Sequence, residues 1–389
     1  MTPTLPGPTL GVVGGGQLGR MLAEAAAPLG VDLVVLDPTP DCPAAAVARD
    51  QIVGGFDDPE AFAELADRAD ALTFEIELAD PGLLERVGED AGVPVHPSPD
   101  TLRTIEDKLV QKRALQDAGV PVPPFRRVDD ADDLRAALDE FGAVMLKART
   151  GGYDGRGNVP VEDPAKAADA LDSLGGPAMA EAFVDFEREL SVIGVQGREE
   201  VRTFPAGENV HREEILRETV VPARASEDVL DRAQSVARDV LDVLEGRGVY
   251  GIELFETRQG EIQVNEIAPR PHNSGHWTIE GAGSSQFEQH VRAVLGWPLG
   301  TTALRDPTVS TNVLGDVSET QPATLDGVDR VLETPGAHLH WYGKRDVRPL
   351  RKMGHVTVVP ADEGAGDVDE LLATARGLRD ELTFEGENA

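Results

Sequence analysis

The first hundred residues of this 389-residue chain alternate short apolar runs with an amphipathic stretch. The apolar runs at 9–13, 31–37 and 71–75 predict strands, and the stretch at 17–29 predicts a helix. A strand, a crossing helix and a second strand require parallel pairing. The opening therefore predicts a parallel sheet of the βαβ type.

Prolines mark a change of pattern after this opening. Pro94, Pro97 and Pro99 lead into a helical stretch at 100–118, and a second proline group at 121–124 predicts a domain boundary. The later segments predict a small α+β unit and then a longer helix, a hairpin and shorter strands, at 143–147, 177–182, 190–195, 226–244, 249–267 and from about 304 onward. Because single cores rarely exceed about 250–300 residues, we expect several domains around a cleft.

The charge balance restricts the partners. Acidic residues outnumber basic ones by 70 to 36, for a net charge of −34, and only six of the basic residues are lysine. A surface of this sign repels nucleic acid. Dense carboxylates with few lysines favour a protein of a salt-rich cytoplasm, where screening weakens self-repulsion.

Other features narrow the class of protein. No run of about 18 apolar residues predicts a membrane span, and the first ten residues do not predict a secretory signal, so we expect a cytoplasmic protein. Cys42 is the one cysteine, which excludes an internal disulfide and a thiolate zinc site within one chain. We do not expect Cys42 to be a nucleophile.

A first glycine loop follows the opening strand. Gly14, Gly16 and Gly19 open a helix, and Asp37 ends the next strand, which satisfies the dinucleotide-binding fingerprint. The same loop could hold another phosphorylated or ribosylated molecule at a helix N-terminus, or be only a tight turn. The loop alone leaves these three interpretations open.

A second glycine loop indicates a polyphosphate site. Four glycines fall within residues 151–157, directly after Lys147 and its predicted strand. Such a loop can bring backbone N–H groups close to phosphates and can open to release product, and a lysine beside it adds a point charge. A flexible hairpin turn is the alternative, although ordinary turns use fewer glycines.

Two carboxylates on the predicted hairpin suit a divalent cation. In the register that we expect, Glu253 lies opposite Val264, and Glu266 is its diagonal neighbour on the same face, about 7 Å away at the backbone. Mg²⁺ fits best because it takes carboxylate oxygens together with substrate phosphates. In a chain with 70 acidic residues, a solvated surface pair is the competing interpretation.

The loop after the hairpin is rich in hydrogen-bond donors. Arg270, His272, Asn273 and His276 lie within seven residues. A guanidinium can hold a planar oxyanion with two hydrogen bonds, and an imidazole and an amide can donate to its other oxygens. This composition predicts an anion pocket beside the carboxylate pair.

Four motifs occur in order along the chain. They read GGGQLGRM at 14–21, TGGYDGRG at 150–157, NEIAPRPHNSGHW at 265–277, and HLHWY at 338–342 followed by RPLRKMGH at 348–355. Together they resemble the N5-carboxyaminoimidazole ribonucleotide synthase family of ATP-grasp ligases in purine biosynthesis. The resemblance covers nearly the whole chain.

The resemblance implies a site for each substrate. The implied ATP contacts are Lys108, Lys147, Gly152, Tyr153, Asp154, Gly155, Arg156, Gly157, Asn158, Glu181, Ala182, Phe183, Val184, Glu189, His211, Asn265 and Glu266. The implied contacts to 5-aminoimidazole ribonucleotide (AIR) are Gln17, Leu18, Glu75, Tyr153, Asp154, Arg156, Lys344, Arg351 and Lys352, the last three belonging to a dense basic cluster with Arg345 and Arg348. Bicarbonate would be held by Arg270, His272 and Asn273.

The implied metal ligands are Glu253 and Glu266, which would hold Mg²⁺, with two ions expected. Regular strand alternation points Asn265 to the opposite face, so we expect it to be a weaker companion. Lys108 stands where the family often has arginine, and Ala182-Phe183 is an atypical pair for the adenine hinge. Neither departure removes a group that the reaction requires.

The implied fold combines α/β and α+β elements. It is an ATP-grasp fold with an N-terminal Rossmann-like (pre-ATP-grasp) domain at 1–105, ATP-grasp subdomains at 106–190 and 191–300, and a small β-rich C-terminal domain at 301–389. The resemblance also implies a homodimer.

The implied reaction is ATP- and bicarbonate-dependent carboxylation of the AIR amino group through carboxyphosphate. The nearest alternative is another ATP-grasp ligase, such as the formate-using glycinamide ribonucleotide transformylase. A nicotinamide oxidoreductase would leave Lys147 and the carboxylate pair without a role. A non-catalytic nucleotide-binding module would bind ATP without releasing phosphate.

Overall fold

The computed structural model describes residues 2–151, 157–362 and 366–384. The predicted contacts of Gly152, Tyr153, Asp154, Gly155 and Arg156 lie outside these ranges. Within them, no helix combines the length and the apolar character that a membrane crossing needs.

The N-terminal region is a parallel sheet flanked by helices, as its alternating pattern predicts. Its strands are β1 (Thr9–Val13), β2 (Asp32–Asp37), β3 (Asp50–Val53) and β4 (Ala71–Phe74), in the order β3-β2-β1-β4. Its helices are α1 (Gln17–Ala26), α2 (Pro59–Asp67), α3 (Pro81–Ala91) and α4 (Pro99–Glu106). Val13 pairs with Leu36 on one side and Phe74 on the other. The chain therefore leaves β1 and β4 at the same edge of the sheet, beside the end of β2.

The single helix predicted over 100–118 is wrong, because the chain breaks at Asp107. This residue is extended, with φ −102° and ψ 105°, and its carboxylate caps a new helix, α5 (Lys108–Asp117), by accepting from the N–H of Leu109 at 3.0 Å. Aspartate is a favourable N-cap because its side chain satisfies N–H groups that lack intrahelical partners. The break places Lys108 at the first position of α5.

A small antiparallel sheet follows. Its elements are β5 (Phe125–Val128), α6 (Ala131–Phe141), β6 (Val144–Ala148), β7 (Asn158–Val161), α7 (Ala167–Leu174) and β8 (Ala178–Ala182). The strand order is β5-β8-β6-β7, and the two helices bury their apolar faces against it. The β6–β7 hairpin pairs Lys147 with Asn158, so the glycine-rich segment connects these two strands.

The remaining strands are β9 (Phe186–Gln196), β10 (Val201–Thr203), β11 (Gly207–Arg212), β12 (Ile215–Val221), β13 (Gly248–Thr257), β14 (Ile262–Ala268), β15 (Thr308–Leu314), β16 (Gln321–Pro322), β17 (Leu325–Asp326), β18 (Ala337–Trp341), β19 (Asp346–Val347), β20 (Lys352–Val358) and β21 (Thr383–Phe384). The remaining helices are α8 (Glu227–Val243), α9 (Thr278–Gly281), α10 (Gln286–Val294), α11 (Val328–Glu333) and α12 (Val368–Glu381).

Within the described residues, nine of these strands form one antiparallel sheet. Its order is β14-β13-β9-β11-β12-β15-β20-β18, and β10 pairs with β9. The boundary predicted at residues 190/191 falls inside β9. Across the boundary predicted at 300/301, β15 pairs with β12. The carboxylate hairpin and the C-terminal strands therefore share one sheet.

Candidate active site

The two carboxylates of the hairpin lie directly opposite each other. Glu253 on β13 pairs with Glu266 on β14, not with Val264, so the predicted register and the diagonal arrangement are wrong. A β-bulge shifts the register between Glu253 and Leu254, and it places one extra residue on β14. Direct cross-strand partners are closer than diagonal ones, so the two acids face the same space.

The extra residue is Asn265, which changes its predicted orientation. Leu254 pairs with Val264, and Glu253 pairs with Glu266, which leaves Asn265 without a cross-strand partner in the ladder. A bulge suspends the strict alternation of faces. Its side-chain Oδ1 lies 3.3 Å from Nζ of Lys147. Asn265 therefore faces the lysine and not the opposite side of the sheet.

Two lysines, one from α5 and one from the smaller sheet, form ion pairs with acids in this region. Lys108 Nζ forms an ion pair with Glu266, and Lys147 Nζ lies 2.6 Å from Oε1 of Glu181. Lys147 precedes the glycine-rich segment, so its contact with Asn265 joins that hairpin to the carboxylate hairpin. Lys147 and the carboxylate hairpin therefore line the same cleft.

The pKa values of the two acids shift in opposite directions. Burial, which dominates, raises the pKa of Glu253, and the neighbouring Glu266 raises it further. Burial also acts to raise the pKa of Glu266, but Lys108 and Lys147 outweigh it and leave that pKa below its ordinary value. A shared cation would stabilise both ionised forms.

The acid pair suits magnesium. Among the described residues, no group of three or more His, Cys, Asp or Glu side chains is arranged to hold a metal ion. Two opposed carboxylates still suit Mg²⁺, which commonly takes one or two protein carboxylates and completes its shell with water and phosphate oxygens.

The predicted anion loop lies beside this pair. Arg270 Nη2 lies 2.7 Å from Oε1 of Glu77, and His272 Nε2 lies 3.7 Å from Oε1 of Glu253. The Nδ2 atom of Asn273 is buried and has no hydrogen-bond partner among the described residues. Donors of three chemical types therefore converge next to the acids.

Packing fixes the position of this loop. The side chain of Gln286 accepts from the N–H of His272 at 2.9 Å and donates to its carbonyl at 2.7 Å. A Cβ atom on Gly251 would lie 2.4 Å from Cβ of His272, so only glycine permits this close approach of loop and strand. His272 is thus held from both sides.

The first glycine loop binds carboxylates of its own domain. The N–H of Gly15 donates to Asp37 Oδ2 at 2.9 Å, and the N–H of Gly16 donates to Glu75 Oε1 at 2.6 Å. Gly14 has φ +103°, and a Cβ there would lie 2.7 Å from Glu75 Cγ. Carboxyl groups already occupy these donors, so the arrangement disfavours a dinucleotide pyrophosphate.

Glu75 is an unusual carboxyl group. It is 8% exposed, and burial raises its pKa to about 7 against the opposing effects of the Gly16 N–H and of Arg270. Gln17 begins α1 and is partly exposed beside this group, whereas the side chain of Leu18 packs in the apolar core. A contact from Leu18 to AIR would have to use its backbone N–H at the helix start.

The C-terminal basic cluster divides in two. Lys344 Nζ donates to the carbonyl of Lys352 at 2.6 Å, and both lysines act electrostatically on acids of the cleft, Lys344 on Glu75 and Lys352 on Glu253. Arg345 is exposed and lies 3.6 Å from Asp41. Lys344 and Lys352 are therefore the members that the structure brings to the cleft.

The other two members of the C-terminal basic cluster are Arg351 and Arg348. Arg351 Nη1 donates to the carbonyl of Asp346 at 2.6 Å. Burial lowers the pKa of Arg351, and the nearby charge of Arg348 lowers it further. Crowded cations of this kind favour an anion close to them.

The predicted adenine side lies where the two sheets meet. The chain passes from β8 to β9 through Phe183 and Val184, and Phe183 is half-exposed. Phe186 stacks on Phe255 with ring centroids 5.1 Å apart, and His211 Nδ1 lies 2.7 Å from Oε2 of Glu189. Aromatic rings and a hydrogen-bonded histidine therefore lie close to this junction.

The side chain of Glu181 contacts two lysines. Its carboxylate is only 3% exposed and lies between Lys112 and Lys147. Burial acts to raise its pKa, but Lys112 and Lys147 lower it to about 2. Glu181 therefore joins the buried Lys112 to Lys147.

The sequence analysis missed two residues of this region. Glu77 follows β4 as an ordinary acid among many, and the sequence carries no signal that it faces Arg270. Lys112 carried a signal that was overlooked, because it lies three residues from both Leu109 and Leu115 on the apolar stripe of α5. A lysine on a buried stripe needs a partner.

Family models match three consecutive segments. The ribonucleotide synthetase preATP-grasp domain matches residues 8–106, the ATP-grasp domain matches 113–287, and the phosphoribosylaminoimidazole carboxylase C-terminal domain matches 308–367. These matches confirm the predicted fold class.

Curated relatives extend over almost the whole chain. The N5-carboxyaminoimidazole ribonucleotide synthase of Brucella melitensis is 43% identical over 361 residues, which cover 92% of this chain and 97% of that protein. The enzyme of the same name from Bacillus subtilis is 38% identical over 366 residues, covering 92% and 93%.

Solved structures agree with these relatives. The N5-carboxyaminoimidazole ribonucleotide synthetase of Thermotoga maritima superposes with a TM-score of 0.87 at 40% identity, covering 98% of this chain and 100% of that chain. The Aspergillus clavatus synthase in complex with ADP and AIR superposes with a TM-score of 0.88 at 35% identity, covering 96% and 98%. The chain therefore belongs to the N5-carboxyaminoimidazole ribonucleotide synthase family of ATP-grasp ligases.

Proposed function

We propose that this chain carboxylates the amino group of AIR with ATP and bicarbonate, giving N5-carboxyaminoimidazole ribonucleotide in de novo purine biosynthesis. The observation that carries the proposal is the continuous lining of one cleft. It runs from Lys147 and the acid pair, past the Arg270 loop, to Glu75 at the first glycine loop. Each substrate of such a reaction finds groups of suitable chemistry along that path.

The phosphates of ATP would bind at the lysine end. Lys108 and Lys147 each hold a carboxylate partner, and an incoming triphosphate can replace those partners. Asn158 pairs with Lys147 and Gly157 directly precedes it, and both would also contact the phosphates. The segment Ala182, Phe183 and Val184 would hold the adenine and ribose, with Glu189 and His211 nearby.

Glu253 and Glu266 would hold Mg²⁺, with two ions expected. Bound there with the nucleotide, Mg²⁺ supplies positive charge that offsets the phosphate oxygens. Asn265 lies at the bulge and can contribute a neutral oxygen on the same face.

Bicarbonate would bind at Arg270, His272 and Asn273. Arg270 can exchange Glu77 for a second planar carboxylate-like anion. The buried Nδ2 of Asn273 has an unused donor that such an anion would satisfy. A bicarbonate oxygen placed there stands next to the γ-phosphate end of the cleft.

AIR would occupy the opposite end. Gln17, the helix start at Leu18 and Glu75 would face its ribose and base, while Lys344, Arg351 and Lys352 would hold its 5′-phosphate. The sequence further predicts contacts from Tyr153, Asp154 and Arg156, which lie outside the described residues.

The chemistry proceeds in two steps. A bicarbonate oxygen attacks the γ-phosphorus of ATP, the bond to ADP breaks, and carboxyphosphate forms, with the lysines offsetting the charge of the transferring group. The amino nitrogen of AIR then attacks the carbon, or CO₂ released from it, phosphate leaves, and the nitrogen loses a proton. Exclusion of water protects the labile intermediate.

The test is phosphate release from ATP in Mg²⁺ buffer freed of CO₂, with bicarbonate or AIR omitted in turn. We expect release that requires both, together with transfer of labelled bicarbonate carbon to AIR. Release that depends on formate and glycinamide ribonucleotide, or that ignores both omissions, would refute the proposal. The homodimer, the cytoplasmic location and the adaptation to high salt stay predictions.

A further inference from the structure

Lys112 is a buried lysine that does not reach the open cleft. Its side chain is only 1% exposed on the apolar stripe of α5. Its Nζ lies 2.6 Å from Oε2 of Glu181 and donates to the carbonyl of Val264 at 2.7 Å. A buried ammonium is costly unless such partners compensate it.

Both partners of Lys112 lead directly to the phosphate end. The other oxygen of Glu181, Oε1, lies 2.6 Å from Nζ of Lys147. Val264 immediately precedes the bulge that turns Asn265 toward the same lysine. Lys112 thus supports Lys147 through a shared carboxylate and supports the bulge through a backbone carbonyl.

The charges of this group do not cancel. Two ammonium groups share one carboxylate, so Lys112, Glu181 and Lys147 together carry one positive charge. Without Lys112, Glu181 would neutralise Lys147 completely, and it would be free to draw the ammonium away from the cleft. The charge of Lys112 therefore decides whether the group attracts phosphate.

We propose that Lys112 is a positioning residue for ATP: by sharing Glu181 and holding the Val264 carbonyl, it keeps Lys147 directed into the cleft with an uncompensated positive charge. The inference rests on the proposed ATP-dependent reaction. It deepens that proposal by assigning a role to a residue that does not itself touch substrate.

The lysine content of the chain agrees with this role. All six lysines lie in the described ranges. Four of them, Lys108, Lys147, Lys344 and Lys352, lie at the cleft, and Lys112 lies directly behind it. Lys166 is the exception and is exposed on the turn Pro164–Lys166. The chain therefore offers a matched lysine control outside the site.

The first test replaces Lys112 by methionine, which has a similar length and suits the apolar stripe. We expect Lys112→Met to weaken MgATP binding, measured by calorimetry, by about tenfold, the effect of one charge across a cleft of intermediate dielectric. The KM for ATP should rise in step, while the KM values for bicarbonate and AIR stay unchanged. Lys166→Met should leave all of them at wild-type values.

The second test removes the carboxylate as well. In Lys112→Met/Glu181→Gln, Lys147 is again the only charge of the group but has lost its carboxylate contact, so we expect MgATP affinity to recover only part of the tenfold loss of the single variant, by about threefold. A role in packing alone predicts that the double variant binds no better than the single one. The double variant also buries no unpaired charge, so it decides the question if the single variant fails to fold.

Several results would overturn the proposal. They are unchanged MgATP affinity with a lowered melting temperature in Lys112→Met, an equal rise of all three KM values, or no recovery in the double variant. Calorimetry does not depend on turnover. Failure of the carboxylation assay in the wild-type chain would therefore refute the proposed function separately from the role of Lys112.

Discussion

The cleft has a phosphate end around Lys108 and Lys147 and an acceptor end around Glu75, where AIR is proposed to bind. The pKa values of the acids paired with these lysines and of Glu75 shift in opposite directions. At the phosphate end each lysine has a carboxylate partner, Lys108 with Glu266 and Lys147 with Glu181, and the lysines hold the pKa of both acids below the ordinary value against the effect of burial. At the acceptor end Glu75 is buried, and burial raises its pKa to about 7. In the proposed reaction, ATP binding would exchange one ion pair for another, whereas the Glu75 carboxyl group changes its charge near neutral pH.

The largest effect should come from Arg270, whose loop lies between the phosphate end and the acceptor end. We expect Arg270→Ala to lower bicarbonate-dependent phosphate release by about a thousandfold, as for loss of a donor to developing charge, while MgATP affinity changes little. Steady-state phosphate release and calorimetry measure the two quantities. Arg126→Ala, which removes an exposed arginine paired with Glu140, is the control. Unchanged turnover in Arg270→Ala would contradict the proposal that Arg270 belongs to an anion pocket for bicarbonate.

The next effect concerns the acceptor end and stability. The folded-state pKa of Glu75, about 7, exceeds its ordinary value of 4.5, so the folded state favours the protonated form. The stability from this group is complete below pH 4.5 and is lost as the pH rises through about 7. Over that window we expect the wild type to lose about 3 kcal/mol relative to Glu75→Gln, measured by urea unfolding at several pH values.

An exposed acid provides the control for this pH effect. Glu24→Gln removes a carboxylate that is paired with Arg20 at the surface, and its unfolding curves should follow those of the wild type. Parallel pH profiles of wild type and Glu75→Gln would show that the two ends do not differ in protonation.

The phosphate end should respond to magnesium. We expect Glu253→Gln to raise the Mg²⁺ concentration for half-maximal phosphate release by between about tenfold and a hundredfold, since loss of a group at a metal site has effects of this size. A magnesium titration of the turnover rate measures it. Glu261→Gln, on the exposed turn of the same hairpin, should match wild type. An unchanged magnesium titration in Glu253→Gln would contradict a role of the acid pair in metal binding.

The smallest effect should come from the helix break that presents Lys108. Asp107 caps α5 and also bonds to Arg149, whose Nε lies 3.0 Å from Oδ1. We expect Asp107→Asn to keep most of the cap but lose the ion pair, lowering the free energy of unfolding by about 1 kcal/mol. Thermal unfolding tests this against Asp132→Asn, whose partner Arg135 is exposed. A larger loss in the control would mean that the break is not held by this pair.

Much of the fold followed from the sequence because its signals are local. Alternating apolar runs predicted the parallel sheet, and the roles predicted for the glycine-rich stretches and the clustered donors stay predictions. The hairpin register failed because a bulge leaves no mark in the hydrophobic pattern, and Asn265 was misplaced for the same reason. The break at Asp107 was missed because the helical pattern continues across it.

The partners across the cleft could not be predicted at all. Glu77 meets Arg270, and Lys112 meets Glu181, only after distant segments have packed together. Their spacing in the chain carries no signal of these contacts. Buried charge is informative only when its helical face is recognised, as Lys112 shows.

The continuity of the large sheet limits how such enzymes can be rebuilt. Because β15 pairs with β12 on one side and β20 on the other, the last quarter of the chain closes the edge of the strands that lead to the acid pair. Cutting near residue 300 would leave β12 as a bare edge that invites aggregation. The C-terminal segment is thus no interchangeable cassette, and a chimaera between two such ligases would need its crossover outside this sheet.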